Sequence, residues 1–161
     1  MNLDQQFLRQ HEKGSGLPIA VNSTALATSL ETKLEVIDLS GPRLELSFKV
    51  GTHFLQAEDV VHGGALTTML DFAMAYAALL AIPDGLSVAT INMNVAYLRS
   101  AKIGGYRALA EIERCGKNVV FARAQLQDRD KRAIATATSS LAIVRPRRKL
   151  AMSGVAGAEP V

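Results

Sequence analysis

Hydrophobic residues near the start of the chain recur at helical spacing. Leu3 and Phe7 lie one helical turn apart among polar residues, which predicts a short amphipathic helix over residues 2–12. The stretch of Gly, Ser and Pro that follows is expected to end this helix. Residues 19–30 show no clear period. We therefore predict that residues 1–29 form an N-terminal helix followed by a loop or lid.

Two segments after Thr32 alternate hydrophobic and polar residues, as half-buried strands do. The first is centred on Leu34 and Val36, and the second runs from Leu44 to Val50. Between them, the sequence Ser40-Gly41-Pro42 favours a turn. The pattern predicts two neighbouring strands.

A long apolar run occupies the middle of the chain. It predicts a helix from about Gly63 to Ala81, which the sequence Pro83-Asp84-Gly85 ends. The run is at the short limit for a membrane span, contains Asp71 and lacks flanking basic anchors. We expect a helix buried in a protein core and no membrane segment.

The rest of the chain reads as strands. Four segments are predicted, and the short turns between them favour an antiparallel meander: Val88–Leu98, Tyr106–Ile112, Val119–Gln127 and Ala133–Val144. A helix that is apolar on nearly all sides has to be enclosed, and one curling sheet can do this. The expected fold class is α+β, with an antiparallel sheet of about five to six strands wrapped around one long central helix over residues 30–144.

The positive charge lies at the end of the chain. Residues 1–144 hold 14 of the 18 Lys and Arg residues and 14 of the 15 Asp and Glu residues. The excess belongs to residues 145–161, a basic tail rich in Ala and Gly that is predicted to be disordered. An electrically balanced body with 5% aromatic residues argues against a nucleic-acid-binding protein.

The single cysteine, Cys115, rules out an internal disulfide and is typical of a reducing compartment. The first residues are polar and charged, without the pattern of a signal peptide. We expect a cytoplasmic protein with no membrane partner.

Two glycines stand at the predicted start of the central helix, in the sequence His62-Gly63-Gly64. Glycines leave the backbone N–H groups uncovered at a helix end that carries partial positive charge. Such an end can hold an anion or a developing oxyanion. The same pair also fits a tight junction between loop and helix without any chemistry, and the sequence leaves both interpretations open.

Asp71 is the only Asp, Glu, Lys or Arg between Asp59 and Asp84. Because burial of an ionised carboxylate is costly, Asp71 either has a partner or faces a cleft where it does chemistry. We favour the cleft, because its helical neighbours are small and leave a slot beside the carboxylate: Thr67, Thr68, Ala75 and Ala78.

The spacing of Gly63 and Asp71 has a geometric consequence. Eight residues of helix correspond to a rise of about 12 Å. A carbonyl held at the Gly63 amide needs its base or nucleophile within about 3–3.5 Å. If the two groups cooperate, Asp71 must come from the same helix of a second subunit across a two-fold axis. We therefore expect a dimer at minimum.

Other polar residues give weaker signals. Gln56 either donates its amide to a substrate carbonyl or is a solvated loop residue. Thr90 and Asn92, expected on one polar face of their strand, either place a water or pair with neighbouring backbone. His62 is a possible base, although a histidine before a helix more often bonds to local backbone. No metal site is predicted, because the three histidines lack metal-ligand spacing: His11, His53 and His62.

The segment from Gln56 to Asp71 resembles the signature of hotdog-fold thioesterases of the phenylacetate-degradation (PaaI) type. That signature has Asn or Gln, then His-Gly-Gly six positions later, then Asp or Glu nine positions beyond the His. Gln56, His62 and Asp71 match all three spacings. The segment Ile91–Gly104 resembles the next strand and turn of this family.

The resemblance implies an acyl-CoA thioesterase without a metal or redox cofactor, assembled as a homotetramer of two dimers. The Gly63 N–H would bind the thioester oxygen with help from Gln56. Asp71 of the facing subunit would act as general base on water, or as a nucleophile that forms a transient anhydride. Thr90 would help to place the water, and His62 would brace the loop. The expected substrate-binding positions are Gly64, Thr68, Ala75 and Asn92.

The acyl group remains open. Gln56 is typical of the aromatic 4-hydroxybenzoyl-CoA branch, but that branch has Glu where this chain has Asp71 and Thr where it has Ala75. Two other functions compete with the thioesterase. A hotdog-fold dehydratase would need a His/acid pair over the acyl carbons, and the usual spacings for it are absent. A non-catalytic acyl-CoA-binding module would bind CoA esters without turnover.

Overall fold

One antiparallel sheet and one long helix make up most of the computed structural model, which describes residues 2–41, 43–56 and 59–145. The basic tail predicted over residues 145–161 lies outside these ranges from residue 146 onward. A single 3₁₀ turn, Thr52–Phe54, precedes the long helix. In chain order the elements are α1 (Leu3–His11), β1 (Ile19–Ala20), α2 (Ala25–Ser29), β2 (Lys33–Asp38), β3 (Arg43–Val50), α3 (Gly63–Ala81), β4 (Ser87–Tyr97), β5 (Gly104–Cys115), β6 (Val119–Asp128) and β7 (Ala133–Val144).

The sheet has the strand order β1-β2-β3-β5-β6-β7-β4, and every neighbouring pair is antiparallel. Leu44, Ala110, Ala124 and Ala137 follow one another across four strands, and all four are buried. The three alanines are small and let the middle of the sheet approach α3 closely. The predicted α+β fold is confirmed. The strand beyond the expected five to six is β1, whose two residues are too few to show a period.

The predicted meander holds for β5, β6 and β7, but it was wrong for β4. That strand pairs with β7 at the far edge of the sheet, and β5 pairs with β3 instead. The reason lies in α3, which packs against β3, β5, β6, β7 and β4 in turn. The chain therefore leaves β3, crosses the sheet as α3 and enters β4 at the opposite edge.

Helix α3 has the bounds that the sequence predicts, and most of its side chains are buried. Its apolar window is long enough to cross a membrane, but 61% of that window is buried inside the protein's own fold. One side of the helix stays partly accessible. We call it the open stripe, and its exposed or half-buried residues are Gly64, Thr67, Thr68, Asp71, Phe72 and Ala75.

The N-terminal helix is confirmed as α1, whereas the loop predicted over residues 19–30 contains β1 and α2. Thr24 caps α2 by accepting a hydrogen bond from the Ala27 amide, 3.1 Å away. Ala27 is buried, which ties this five-residue helix to the core. A helix this short cannot show a hydrophobic period in the sequence.

Helix α1 docks at the C-terminal end of α3. Gln5, only 2% exposed, donates through Nε2 to the carbonyls of Leu79 and Pro83, 3.2 and 3.1 Å away. Its Oε1 accepts from the Gly85 amide at 2.9 Å. These bonds satisfy helix-end carbonyls that would otherwise lack donors. Helix α1 thus covers the C-terminal end of α3, whereas the Gly63 end and the open stripe remain accessible.

Candidate active site

His62 is the N-cap of α3. Its Nδ1 accepts a hydrogen bond from the Gly64 amide at 2.9 Å, and its carbonyl accepts from the Ala65 and Leu66 amides at 2.9 and 3.4 Å. The Gly63 amide has no acceptor among the described residues. Of the two glycines noted in the sequence, Gly63 is therefore the one whose N–H remains available to a ligand at the positive end of the helix.

The loop before α3 carries Gln56. Leu55 and Val61 form an isolated antiparallel bridge, and the His62 amide donates to the Phe54 carbonyl at 2.8 Å. The Gln56 amide donates to the Val60 carbonyl at 2.9 Å, which closes a tight loop. The exposed Gln56 side chain therefore stands beside the short ribbon that leads into the start of α3.

Asp71 is half-buried in the open stripe. Its Oδ1 accepts a hydrogen bond from the Thr90 hydroxyl at 2.8 Å, whereas Oδ2 has no partner among the described residues. The two interpretations of the sequence, a partnered carboxylate or one facing a cleft, thus apply to different oxygens of the same side chain. The arrangement fixes one oxygen and leaves the other able to accept a proton.

A β-bulge in β4 decides which of its side chains reach the helix. Thr90 pairs with Leu141 and Asn92 with Ser140, so Ile91 is an additional residue in the strand. The bulge turns Asn92 away from Asp71, and its Oδ1 accepts from the Ser140 hydroxyl at 2.7 Å. The prediction that Thr90 and Asn92 share one polar face was therefore wrong, because residue alternation in the sequence takes no account of a bulge.

The same bulge brings Tyr97 to α3, a contact that sequence reasoning missed. Its phenol oxygen lies 2.6 Å from Thr67 Oγ1 and 3.2 Å from the Gly63 carbonyl oxygen. Residues seven apart in a regular strand point to opposite faces, yet both Thr90 and Tyr97 bond to α3. The signal in the sequence is a tyrosine at a hydrophobic position of the strand, because the hydroxyl of such a residue usually has a hydrogen-bond partner.

The remaining predicted positions lie along the open stripe. Thr68 is half-buried and donates its hydroxyl to the Gly64 carbonyl at 2.9 Å. Ala75 is half-buried one turn beyond Asp71. The stripe thus brings Gly64, Thr68, Asp71 and Ala75 together, while Asn92 lies elsewhere.

Gly63 and Asp71 of the same chain are too far apart to contact one small molecule. Both belong to the continuous helix α3, so they are about 12 Å apart along its axis. A cavity of about 690 Å³ lies on the outer face of the sheet, lined among others by Glu45, Gln125 and Thr136, and it includes neither residue. The two groups can act on one small molecule only if a second copy of α3 supplies one of them.

The sequence matches the model of the thioesterase superfamily over residues 58–135. It is 31% identical to a phenylacetic acid degradation-related protein from Ralstonia eutropha JMP134, whose solved structure superposes with a TM-score of 0.74 over 88% of this chain and 99% of that one. A thioesterase family protein from Silicibacter pomeroyi is 25% identical, with a TM-score of 0.72 over 88% of this chain and 98% of that one. No curated protein matches the sequence.

The PaaI protein of the Escherichia coli phenylacetic acid degradation operon shares the fold. It is 18% identical and superposes with a TM-score of 0.71, covering 88% of this chain and 94% of that one. The hotdog fold that the signature predicted, a sheet wrapped around one long helix, is therefore confirmed.

Proposed function

Because the chain belongs to the thioesterase superfamily, we propose that it hydrolyses acyl-CoA thioesters to a carboxylic acid and free CoA at sites shared by two subunits. The observation that carries the proposal is the pair of unsatisfied groups on α3. The Gly63 amide lacks an acceptor and one oxygen of Asp71 lacks a donor among the described residues. Thioester hydrolysis needs such a pair, an oxyanion donor and a proton acceptor.

The edge of β4 supports the two-subunit site. Within the described ranges this strand has β7 as its one neighbour, and Ile91 and Tyr97 on it are 58% and 53% exposed. A long edge strand with exposed hydrophobic residues is normally covered by another element. A second copy that pairs along β4 about a two-fold axis would extend the sheet and bring the two open stripes together.

The register of that pairing follows from symmetry. In an antiparallel pair about a two-fold axis, the numbers of opposed residues have a constant sum. Because the axis relates each residue to its own copy, it passes a residue and not a peptide bond; an axis at Asn94, near the middle of β4, sets Tyr97 opposite the bulge that contains Thr90 of the partner subunit. Since Tyr97 contacts the start of α3 and Thr90 contacts Asp71, this register brings Gly63 of one subunit towards the partner subunit's Asp71.

The chemistry uses groups from both subunits. The thioester oxygen accepts a hydrogen bond from the Gly63 N–H and a second from the side-chain amide of Gln56. A water attacks the carbonyl carbon while Oδ2 of the partner subunit's Asp71 takes its proton. The tetrahedral intermediate then collapses, the C–S bond breaks, and the CoA sulfur takes that proton from Asp71 and leaves as the thiol. Alternatively, the carboxylate attacks the carbonyl carbon itself, the C–S bond breaks as the CoA thiolate leaves, and water hydrolyses the resulting anhydride to the acid and the free carboxylate, with the proton it releases neutralising the thiolate.

The test is a panel of aromatic, short-chain and medium-chain acyl-CoAs with the wild type, Asp71→Asn and Asp59→Asn. Turnover that falls by about 10²-fold or more in Asp71→Asn supports the proposal. Asp59→Asn is the matched control, because Asp59 is an exposed carboxylate with φ 60°, a conformation that Asn tolerates. Thioester absorbance is the suitable readout, since the exposed Cys115 would react with thiol reagents.

Two outcomes contradict the proposal. Binding of CoA esters without turnover in the wild type would indicate the non-catalytic module instead. Undiminished turnover in Asp71→Asn would exclude the mechanism.

A dimer completes both sites, so the homotetramer expected from the resemblance is not required by this chemistry. The mass in solution, measured by light scattering, decides between dimer and tetramer, and the cytoplasmic location stays a prediction.

A further inference from the structure

Tyr97, at the end of β4, reaches the first turn of α3 through its phenol oxygen. That oxygen lies 2.6 Å from Thr67 Oγ1 and 3.2 Å from the Gly63 carbonyl oxygen. A phenol has one proton, so when it donates to Gly63 the Thr67 hydroxyl donates to the phenol. The first turn of α3 is thus held from two sides, by His62 through the Gly64 amide and by Tyr97 through the Gly63 carbonyl.

The Tyr97 ring also lies where a side chain at position 63 would lie. A Cβ added to Gly63 would be 3.2 Å from Tyr97 Cζ and 3.3 Å from its hydroxyl oxygen. A Cβ added to Gly64 would instead meet His62 Nδ1 at 3.0 Å. Each glycine therefore admits one neighbouring ring to the start of the helix, and at Gly63 that ring belongs to Tyr97.

Tyr97 is half-exposed although its hydroxyl has two partners. Its ring lies against Gly63, whose amide has no acceptor among the described residues. In the dimer proposed above, the bulge across the β4 edge contains Thr90 of the partner subunit, which holds Asp71. One tyrosine would thus contact the oxyanion-binding turn of one subunit and adjoin the carboxylate of the other.

We propose that Tyr97 is a positioning residue for the Gly63 amide, with its ring and hydroxyl fixing the first turn of α3 against the thioester oxygen. The inference rests on the proposed thioesterase activity and extends it to a residue outside the signature segment. An oxyanion donor acts at about 2.7–3.1 Å from the developing charge, so a small shift of the turn weakens it. Because that charge develops only in the transition state, kcat falls and KM changes little.

The hydroxyl is tested with Tyr97→Phe, Thr67→Val and the double variant. Each single change removes one side of the hydrogen bond between the two side chains. We expect each to lower kcat by about three- to tenfold with KM within about twofold. The double variant should resemble the worse single variant, because both changes break one network.

The ring is tested with Gly63→Ala, alone and combined with Tyr97→Ala. The added methyl group presses on the ring in the wild-type background, so we expect kcat to fall by about tenfold or more. In the Tyr97→Ala background the methyl group has room, and the same change should cost about fivefold less. Leu98→Ala is the matched control, since Leu98 is the next residue and is similarly exposed; it should leave kcat within about twofold.

All variants are compared as folded oligomers, by thermal melting and gel filtration. Independent effects of the two hydroxyls, or a Gly63→Ala defect of equal size with and without the Tyr97 ring, overturn the proposal. Losses confined to KM, or losses that follow the folded fraction, overturn it as well. If Tyr97→Ala does not fold, the hydroxyl pair decides alone. The proposed function fails separately, when the wild type does not hydrolyse acyl-CoAs or Asp71→Asn still does.

Discussion

The Thr90 hydroxyl donates to Asp71 Oδ1 across 2.8 Å and so ties the one carboxylate of α3 to the edge strand of the sheet. The bond crosses from helix to strand at the point where the β4 bulge reverses the facing of side chains. A carboxylate held by one oxygen keeps the other aimed in a fixed direction. Thr90 therefore orients the carboxylate oxygen to which the proposed mechanism assigns the proton.

This bond predicts different results for two substitutions of Thr90. Thr90→Val keeps the shape but removes the donor, so kcat should fall by about tenfold as the carboxylate loses its orientation. Thr90→Ser keeps the donor and should stay within about threefold of the wild type. Steady-state kinetics on the best acyl-CoA measures both. Equal rates for Val and Ser would show that the hydrogen bond plays no part in turnover.

The N-cap predicts a separation of stability from activity at His62. His62→Ala removes the acceptor for the Gly64 amide and should lower the free energy of unfolding by about 1 kcal/mol. Asn is a good N-cap, so His62→Asn should keep most of the stability. Urea unfolding measures both changes. In the proposed mechanism His62 stabilises the helix start and takes no proton, so kcat of His62→Asn should stay within about tenfold of the wild type. A loss of about 10³-fold would contradict this and indicate that His62 acts as a base.

The sequence predicts well both the central helix and the distance along it between Gly63 and Asp71. The apolar run has clear ends at His62 and Pro83, and the bounds Gly63–Ala81 follow from them. Helix rise alone then separates Gly63 from Asp71, because an α-helix has one geometry. These conclusions depend on local pattern, and local pattern is what a sequence displays directly.

The partners of the site residues could not be predicted in the same way. The bulge at Ile91 exists only in the pairing of β4 with β7, and it decides that Thr90 and Tyr97 face the helix while Asn92 does not. The choice of Gly63 over Gly64 depends on the orientation of the His62 ring. Each is set by contacts between elements far apart in the chain.

Tyr76 predicts how stability changes at high pH. Burial raises its pKa; the hydrogen bond with Ser23 opposes this, and the hydrogen bond to Asp4 and the charge of that carboxylate add to it. The folded pKa lies above the unfolded value of about 10, so the unfolded state loses its proton first. The contribution of Tyr76 to the free energy of unfolding is therefore complete below pH ~10. It declines as the pH rises further, by at most about 1.4 kcal/mol per pH unit.

Chemical denaturation at a series of pH values from neutral to alkaline measures this decline. Tyr76→Phe should be less stable at neutral pH, because it loses the bond to Asp4, and should lose less with rising pH than the wild type does. Phe7→Leu is the control, since it perturbs packing near the core without removing a titratable group. Parallel pH curves for the wild type and Tyr76→Phe would contradict the prediction.

Two inactive variants should restore activity together if the site is shared. Gly63→Pro removes the amide proton at the first helical position, whose backbone suits Pro, and its ring also presses on Tyr97 against the same turn, which the variant is meant to disable; Asp71→Asn removes the proton acceptor. In a heterodimer of the two, one site has both groups intact and the other lacks both. A heterodimer purified through two different tags should show about half the wild-type activity, and a statistical mixture about a quarter. If one chain supplied the whole site, every chain present would lack one essential group, and the heterodimer would be as inactive as its parents.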